Sequence, residues 1–468
     1  MKNNIFFIGF LFICFFSLNA NAQWQVVGEP GFSDGTAFYT FITFDNFGNP
    51  FSAYSDGDVG YRATVMKFED GNWEAVGETG FTDMMAEYTT LAFDDFNEPY
   101  IVYSEEGIFE SLISVKKFNG TDWEYVGSPA LSAGSASYSV IAFDDSNIPY
   151  IAFTDCGIGC KARVMKYTGT NWEDVGVAGF SEGQATYISF AFNHLGVPFI
   201  SYLDEGNESK ATVMKFNGTE WENVGNPGFS DGFAYYTSLA FSSSGNPYVA
   251  FTDYGNNHKA TVMKYNGTGW ETVGTAGFSG GDAEYTSLVV DDYDVPYIAF
   301  QDEFNDNKTS VMKFDGTNWV NVGIPGFSLG YSSFTHLAIN SGGNLYIIFR
   351  DDGNGNKATA MEFVDATNIK NITSKQTFSI YPNPSNGIFY LNLEAPARPS
   401  SVTITDLTGK TILTVEAQEH GSVPLKIDIS QATEHALLPG IYFIKVIYAD
   451  RSRSKTENQI YTQKIIFQ

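Results

Sequence analysis

Tryptophan occurs seven times, at positions 24, 73, 123, 172, 221, 270 and 319, and successive indoles lie 49 residues apart with one interval of 50. A period this strict means one supersecondary unit copied along the chain, and it must be recognised before any local reading. Around each Trp after the first the neighbours recur too: a near-copy of "KATVMKYNGTGW" before it and of "ETVGTAGFSGGDAEYTSLVVDDYDVPYIAF" after it.

Within one unit, residues 234–274, the pattern resolves into four short β-runs, "AYYTSLAF", "YVAF", "KATVMKY" and "WETVG". They are separated by the turn "SSSGNP", the polar loop "TDYGNNH" and the turn "NGTG". These are strands A to D. Four antiparallel strands in roughly 45–50 residues is the blade of a β-propeller, whereas a solenoid coil uses a shorter repeat. The composition agrees, with 46 Gly, 41 Phe, 27 Tyr and only 17% charged residues.

Counting strands fixes the architecture. Runs A, B and C occur seven times, but after "ATAMEFV" no seventh strand D follows. The unpartnered "WQVV" at Trp24–Val27 supplies it, so a seven-bladed ring is expected to close by pairing its two chain ends. Otherwise the last blade would expose an open edge. Charges fit this register: Lys67, Lys117, Lys166, Lys215 and Lys264 each sit seven residues before a Glu across the C–D turn, whereas the closure places Gln25 opposite Glu362.

The ends of the chain carry different information. Residues 1–22 join Lys2, an apolar run and Ala20-Asn21-Ala22, the pattern of a cleaved export signal. No later run is long enough to span a bilayer. Residues 23–369 hold 15 basic and 46 acidic residues, which disfavours nucleic acid or anionic lipid as partner. The propeller is read as residues 23–364, followed by a polar linker at 365–377 and a small β-sandwich at 378–468, whose alternating apolar runs are separated by turn residues.

Candidate chemistry lies where longer loops gather, at the end shared by the D–A and B–C connections. The B–C loops carry an acid in every blade: Asp56, Glu105, Asp155, Asp204, Asp253, Asp302 and Asp351. A calcium site is one reading. The other is a row of cross-strand ion pairs, because six residues later stand Arg62, Lys161, Lys210, Lys259, Lys308 and Lys357, and this is the reading adopted. Blade two has Leu112 there, leaving Glu105 and Glu106 as candidate ligand residues. No metal site and no cofactor is assigned, calcium being the one ion with any argument behind it.

The D–A loops repeat an aromatic and a hydroxyl, with Phe32, Phe81, Phe180, Phe229, Phe278 and Phe327, and Leu131 in blade three. Their rings could stack on sugars or peptides around the rim, which makes them candidate ligand residues. A residue repeated in every blade, however, serves what every blade needs, and a plug between adjacent blades is the reading favoured. Tyr39, Tyr88, Tyr138, Tyr187, Tyr236, Tyr285 and Phe334 of strand A are expected near the central channel. Cys156 and Cys160 share one B–C loop, and in an exported chain they are expected to form a disulfide. No catalytic residue is assigned: His194, His258 and His336 stand at unlike positions, and the propeller's Arg are only Arg62, Arg163 and Arg350. Other local departures from the repeat are the blade-two insertion and the Cys pair.

From Phe378 the chain reads "FSIYPNPSNGIFYLNL", then "DLTGK" at Asp406–Lys410, "PGIYFIKV" at Pro439–Val446, and Lys464 near the end. These ordered motifs resemble the C-terminal sorting domain of the type IX (Por) secretion system of Bacteroidetes. The resemblance implies handling by that machinery, passage through the outer membrane, and release or attachment at the cell surface. The chain is therefore read as an exported binding or adhesion module for carbohydrate or a surface protein. The rival readings are an extracellular glycosidase or lyase acting on polysaccharide, and an architectural surface protein.

Overall fold

In the computed structural model the described residues are 23–107, 109–364 and seven strands of the C-terminal region. The chain divides into two compact units, Met1–Thr367 and Asn368–Gln468. The proposed export signal and the linker lie outside the described residues.

The first unit is a ring of seven four-stranded antiparallel sheets. Blade one shows the plan: strand A is Ala37–Phe44, B Pro50–Asp56, C Arg62–Glu69 and D Asn72–Ala75. Strand B is buried along its whole length in this blade because neighbouring sheets cover both of its faces. The closure is as expected. Gln23–Val26 pairs with Lys357–Val364, setting Trp24 opposite Phe363 and Gln25 opposite Glu362. The Lys–Glu rungs are also in register, and their ammonium and carboxylate groups meet in blades two, four and five, at 3.8, 3.2 and 3.1 Å.

The Trp residues explain the period. Each indole Nε1 donates to the carbonyl of a Val in the preceding blade: Trp73 to Val27 at 2.8 Å, Trp123 to Val76 at 2.7 Å, and Trp24 to Val322 at 2.9 Å where the ring closes. The same bond recurs at Trp172, Trp221, Trp270 and Trp319. The buried core lies between blades. Ala53 and Val65 of blade one, for example, pack with Leu91, Ile101 and Trp123 of blade two.

Strand A is bent by a bulge at its third residue. That residue, Tyr39, Tyr88, Tyr138, Tyr187, Tyr236, Tyr285 or Phe334, has a positive φ of 51–55°, unfavourable for a side chain with a Cβ. Seven such residues form a closed aromatic ring, neighbouring centroids 4.7–5.2 Å apart. Each favourable edge or tilted contact offsets part of the strain.

The C-terminal unit is also all β. Phe378–Tyr381, Ile388–Leu393 and Leu425–Asp428 form one antiparallel sheet, while Thr411–Glu416, Pro399–Thr405, Gly440–Ala449 and Asn458–Phe467 form another. Val402, Ile404 and Ile444 are buried.

Candidate ligand site on the loop-rich end

The acidic row does not form the expected ion pairs. Although Asp253 faces Lys259 in the ladder, its carboxylate turns inward. It accepts from Gly255 N at 3.0 Å, Asn256 Nδ2 at 2.8 Å and Thr261 Oγ1 at 3.0 Å. Asp204 and Asp351 do the same and additionally accept the amide of a D–A loop Gly, Gly183 or Gly330. A buried carboxylate needs several donors at short range, and the short 3-10 turn after strand B supplies them, so the half-buried Lys is not its partner; Lys210, for example, meets Glu208 at 2.9 Å instead. Among the described residues Arg163 is the one cation within reach, its Nη1 2.9 Å from Asp155. Close backbone contact between the two loops explains the paired glycines: a Cβ on Gly232 would lie 2.1 Å from Gly255 N.

Blade two does this differently. Met84 replaces that Gly, the loop is longer, and Glu105 reaches across to accept from Asp83 N at 2.9 Å and Met84 N at 3.0 Å. Glu105 therefore holds the D–A loop, and Glu106 is exposed at the end of strand B. Met84 and Met85 beside it are exposed as well. Beneath them Lys116 is buried in the place of a repeated Met, donating to the Phe81 carbonyl at 2.9 Å and lying 4.5 Å from the Tyr125 ring.

The six repeated Phe rings each stack on a Trp: Phe32 on Trp73 at 4.4 Å, Phe81 on Trp123 at 4.5 Å, Phe180 on Trp221 at 4.6 Å, Phe229 on Trp270 at 4.1 Å, Phe278 on Trp319 at 4.2 Å and Phe327 on Trp24 at 4.9 Å. All six are half-buried. The hydroxyl after each is buried and accepts a strand-C amide of the preceding blade, as Ser33 does from Ala358 N. This packing favours the plug over the ligand platform. Cys156 and Cys160 are joined in a disulfide.

What varies between blades lies closer to the channel. The second residue of strand A is Phe38, Glu87, Ser137, Thr186, Tyr235, Glu284 or Ser333, and the residue two before it is Thr36, Met85, Ser135, Gln184, Phe233, Asp282 or Tyr331. Tyr61, Phe233, Tyr254 and Tyr331 are exposed by 39, 46, 42 and 59%. Near the ring closure, Arg350 holds its guanidinium 4.7 Å from the Phe38 ring and 5.2 Å from Phe334, and Phe38 also meets Tyr61.

Around blade five, the Tyr254 ring lies tilted against His258 at 3.9 Å and against Tyr235 at 4.6 Å. His258 Nδ1 lies 3.3 Å from Asp282 Oδ2. Glu284 is exposed at the second position of strand A, and partial desolvation of its carboxyl, followed by the Asp282 charge, pushes that carboxyl up. The Tyr39 hydroxyl donates to Glu87 at 3.2 Å. Burial pushes the phenols of the tyrosine ring upward, that of Tyr138 to about 12, so they remain neutral donors. Reading for repetition alone passes over Phe38, Tyr61, Tyr235, Tyr254, Asp282 and Glu284; the signal that finds them is the column where the copies disagree. Among the described residues no group of three or more His, Cys, Asp or Glu could hold a metal ion.

The fold defines a seven-bladed β-propeller protein. Residues 379–468 match the family described as "Secretion system C-terminal sorting domain". That domain places the protein with the cargo of the type IX machinery, exported to the cell surface or beyond, and no described helix is long and apolar enough to cross a membrane. No curated protein matches the chain. Among solved structures it is similar to a Dyadobacter fermentans protein of unknown function, with 10% identity over 60% of this chain and 94% of that one and a TM-score of 0.43. An ulvan lyase shares 13% identity over 73% of this chain and 95% of its own, with a TM-score of 0.48. An α-L-arabinofuranosidase of Fusarium graminearum shares 13% over 74% and 98%, with a TM-score of 0.41. Likenesses this distant carry no argument about ligand or chemistry.

Proposed function

We propose that the propeller is an exported carbohydrate-binding module, with its ligand lying across the channel mouth on the loop-rich end. The observation that carries this reading is the unequal rim. Exposed Tyr61, Phe233, Tyr254 and Tyr331 offer apolar ring faces, while Arg350, Glu87 and Glu284 offer hydrogen bonds. A pyranose presents an apolar C–H face and a polar hydroxyl edge, and this pairing of surfaces suits it. A protein partner would be expected to meet a wider apolar patch. The proposal includes removal of an export signal at residues 1–22, a linker at 365–377, and delivery by the sorting domain at 378–468.

A glycan array probed with the full-length protein tests it. Binding that falls at least tenfold in Tyr254→Ala and Arg350→Ala, with unchanged melting temperature, is expected. Binding to no glycan, or binding indifferent to both changes, refutes it. A second reading, an enzyme acting on polysaccharide, rests on the contact of His258 with Asp282 and on the neighbouring Glu284, whose carboxyl is pushed up by desolvation and by the Asp282 charge. In that case Glu284→Gln abolishes release of reducing or unsaturated ends while leaving glycan binding intact.

A further inference from the structure

The opposite end of the propeller, where the A–B and C–D turns gather, carries a groove of about 410 Å³ between blades three and four. That volume falls within the roughly 300–1,000 Å³ typical of small-molecule sites. Blade three contributes Asp144 and Tyr150; blade four contributes Phe192, Lys215, Phe216 and Asn217. The rings of Tyr150 and Phe192 stand edge to face at 5.0 Å, and Tyr150, Phe192 and Phe216 are all half-buried, so their apolar surfaces are fixed and still reach the groove.

The polar groups are also held in place. One oxygen of Asp144 accepts the turn amides of Ser146 and Ile148, both at 2.9 Å, which anchors the carboxylate. Burial, and then the Asp144 charge, raises the Tyr150 phenol, which keeps it a hydrogen-bond donor. Lys215 is steadied by Glu222 at 3.2 Å, and Asn217 by the same carboxylate at 3.1 Å.

We propose that this groove is a saccharide subsite, separate from the channel mouth, that takes a neutral pyranose unit. Three ring walls match the C–H face of the sugar, and an anchored carboxylate, a phenol and an ammonium match its hydroxyl edge. Lys215 is already matched by Glu222 and one Asp144 oxygen is held by turn amides, so neither charge is free to select a uronic acid or an amino sugar. The set is not common to every interface. Between blades six and seven the equivalent positions are Asp291, Tyr297, Ile339, Glu362 and Phe363, which lack one ring wall and the ammonium. Between blades two and three they are Asp94, Tyr100, Phe143, Lys166 and Tyr167, which keep both. The proposal shares the carbohydrate reading of the channel mouth but not its location.

Titration of the full-length protein with neutral gluco-, xylo- and manno-oligosaccharides, followed by calorimetry, tests it. In an Arg350→Ala, Tyr254→Ala background at least one oligosaccharide still binds, and adding Lys215→Met or Phe216→Ala weakens that binding at least tenfold. Lys215→Met keeps the aliphatic stem, and an unchanged melting temperature shows that the fold is intact. Loss of all binding in the Arg350→Ala, Tyr254→Ala background overturns this subsite and leaves the mouth reading standing. Affinity unchanged by Lys215→Met and Phe216→Ala, or no oligosaccharide bound by any form, overturns it as well.

Discussion

Trp24→Ala perturbs the one seam of the ring that no covalent hairpin holds. Trp24 is 7% exposed, stacks on Phe327 at 4.9 Å, meets Phe363 at 5.4 Å and donates to Val322. Truncating a buried Trp costs about 3–5 kcal/mol. Unfolding entropy of about 2.1 cal/mol/K per residue over roughly 340 residues converts 4 kcal/mol into a Tm drop of about 6 °C. Deleting residues 23–28 also removes buried Val27 and every ladder bond to Lys357–Val364, so the drop must be larger. Differential scanning calorimetry reads both, and hydrogen exchange at Lys357–Val364 reports the opened edge. Trp221→Ala is the control, because it loses similar contacts inside a blade whose strand D is tethered by its own turn. If Trp24→Ala and the deletion each melt within about 1 °C of the parent, the closure argument is wrong.

Gln25→Lys, which places an ammonium opposite Glu362, is expected to stabilise the seam by about 0.2–1 kcal/mol, and Gln25→Glu to weaken it, as read from Tm at low salt. His336 accepts from Ile42 N at 3.4 Å, and burial pushes its imidazole down to about 4. The unfolded chain, titrating near 6.5, binds the extra proton first, so stability falls as pH drops from about 6.5 to 4. The loss is at most about 3 kcal/mol, because the ring is not wholly shut from solvent. Ser189, Ser238 and Ser287 accept the same bond at equivalent positions, so His336→Ser should flatten that pH dependence, and an unchanged Tm–pH slope would count against it. Asp253→Ala should cost about 1–3 kcal/mol by orphaning three donors, while EDTA leaves the parent Tm unchanged; a chelator-induced drop would revive calcium. Lys116→Met, restoring the repeated residue, should be neutral or stabilising in thermal melts, since it removes a buried charge with a single carbonyl partner.

Seven Trp at one period, four β-runs per period and a missing last strand determine the blade number and the closure without coordinates, because a repeat that cannot bury its faces alone must stack on its copies. The C-terminal motifs determine the export route in the same way, since a sorting signal is read as sequence. Tertiary structure alone decided what the repeated polar residues do. Asp253 and Lys259 are ladder partners, yet the donors of the 3-10 turn lie closer to the carboxylate than the Lys, a distance that no sequence spacing contains. It also decided where the candidate site is. Phe38, Tyr254, Asp282 and Arg350 are scattered along the chain, and only closing the ring brings them to one mouth, where the columns that differ between blades converge.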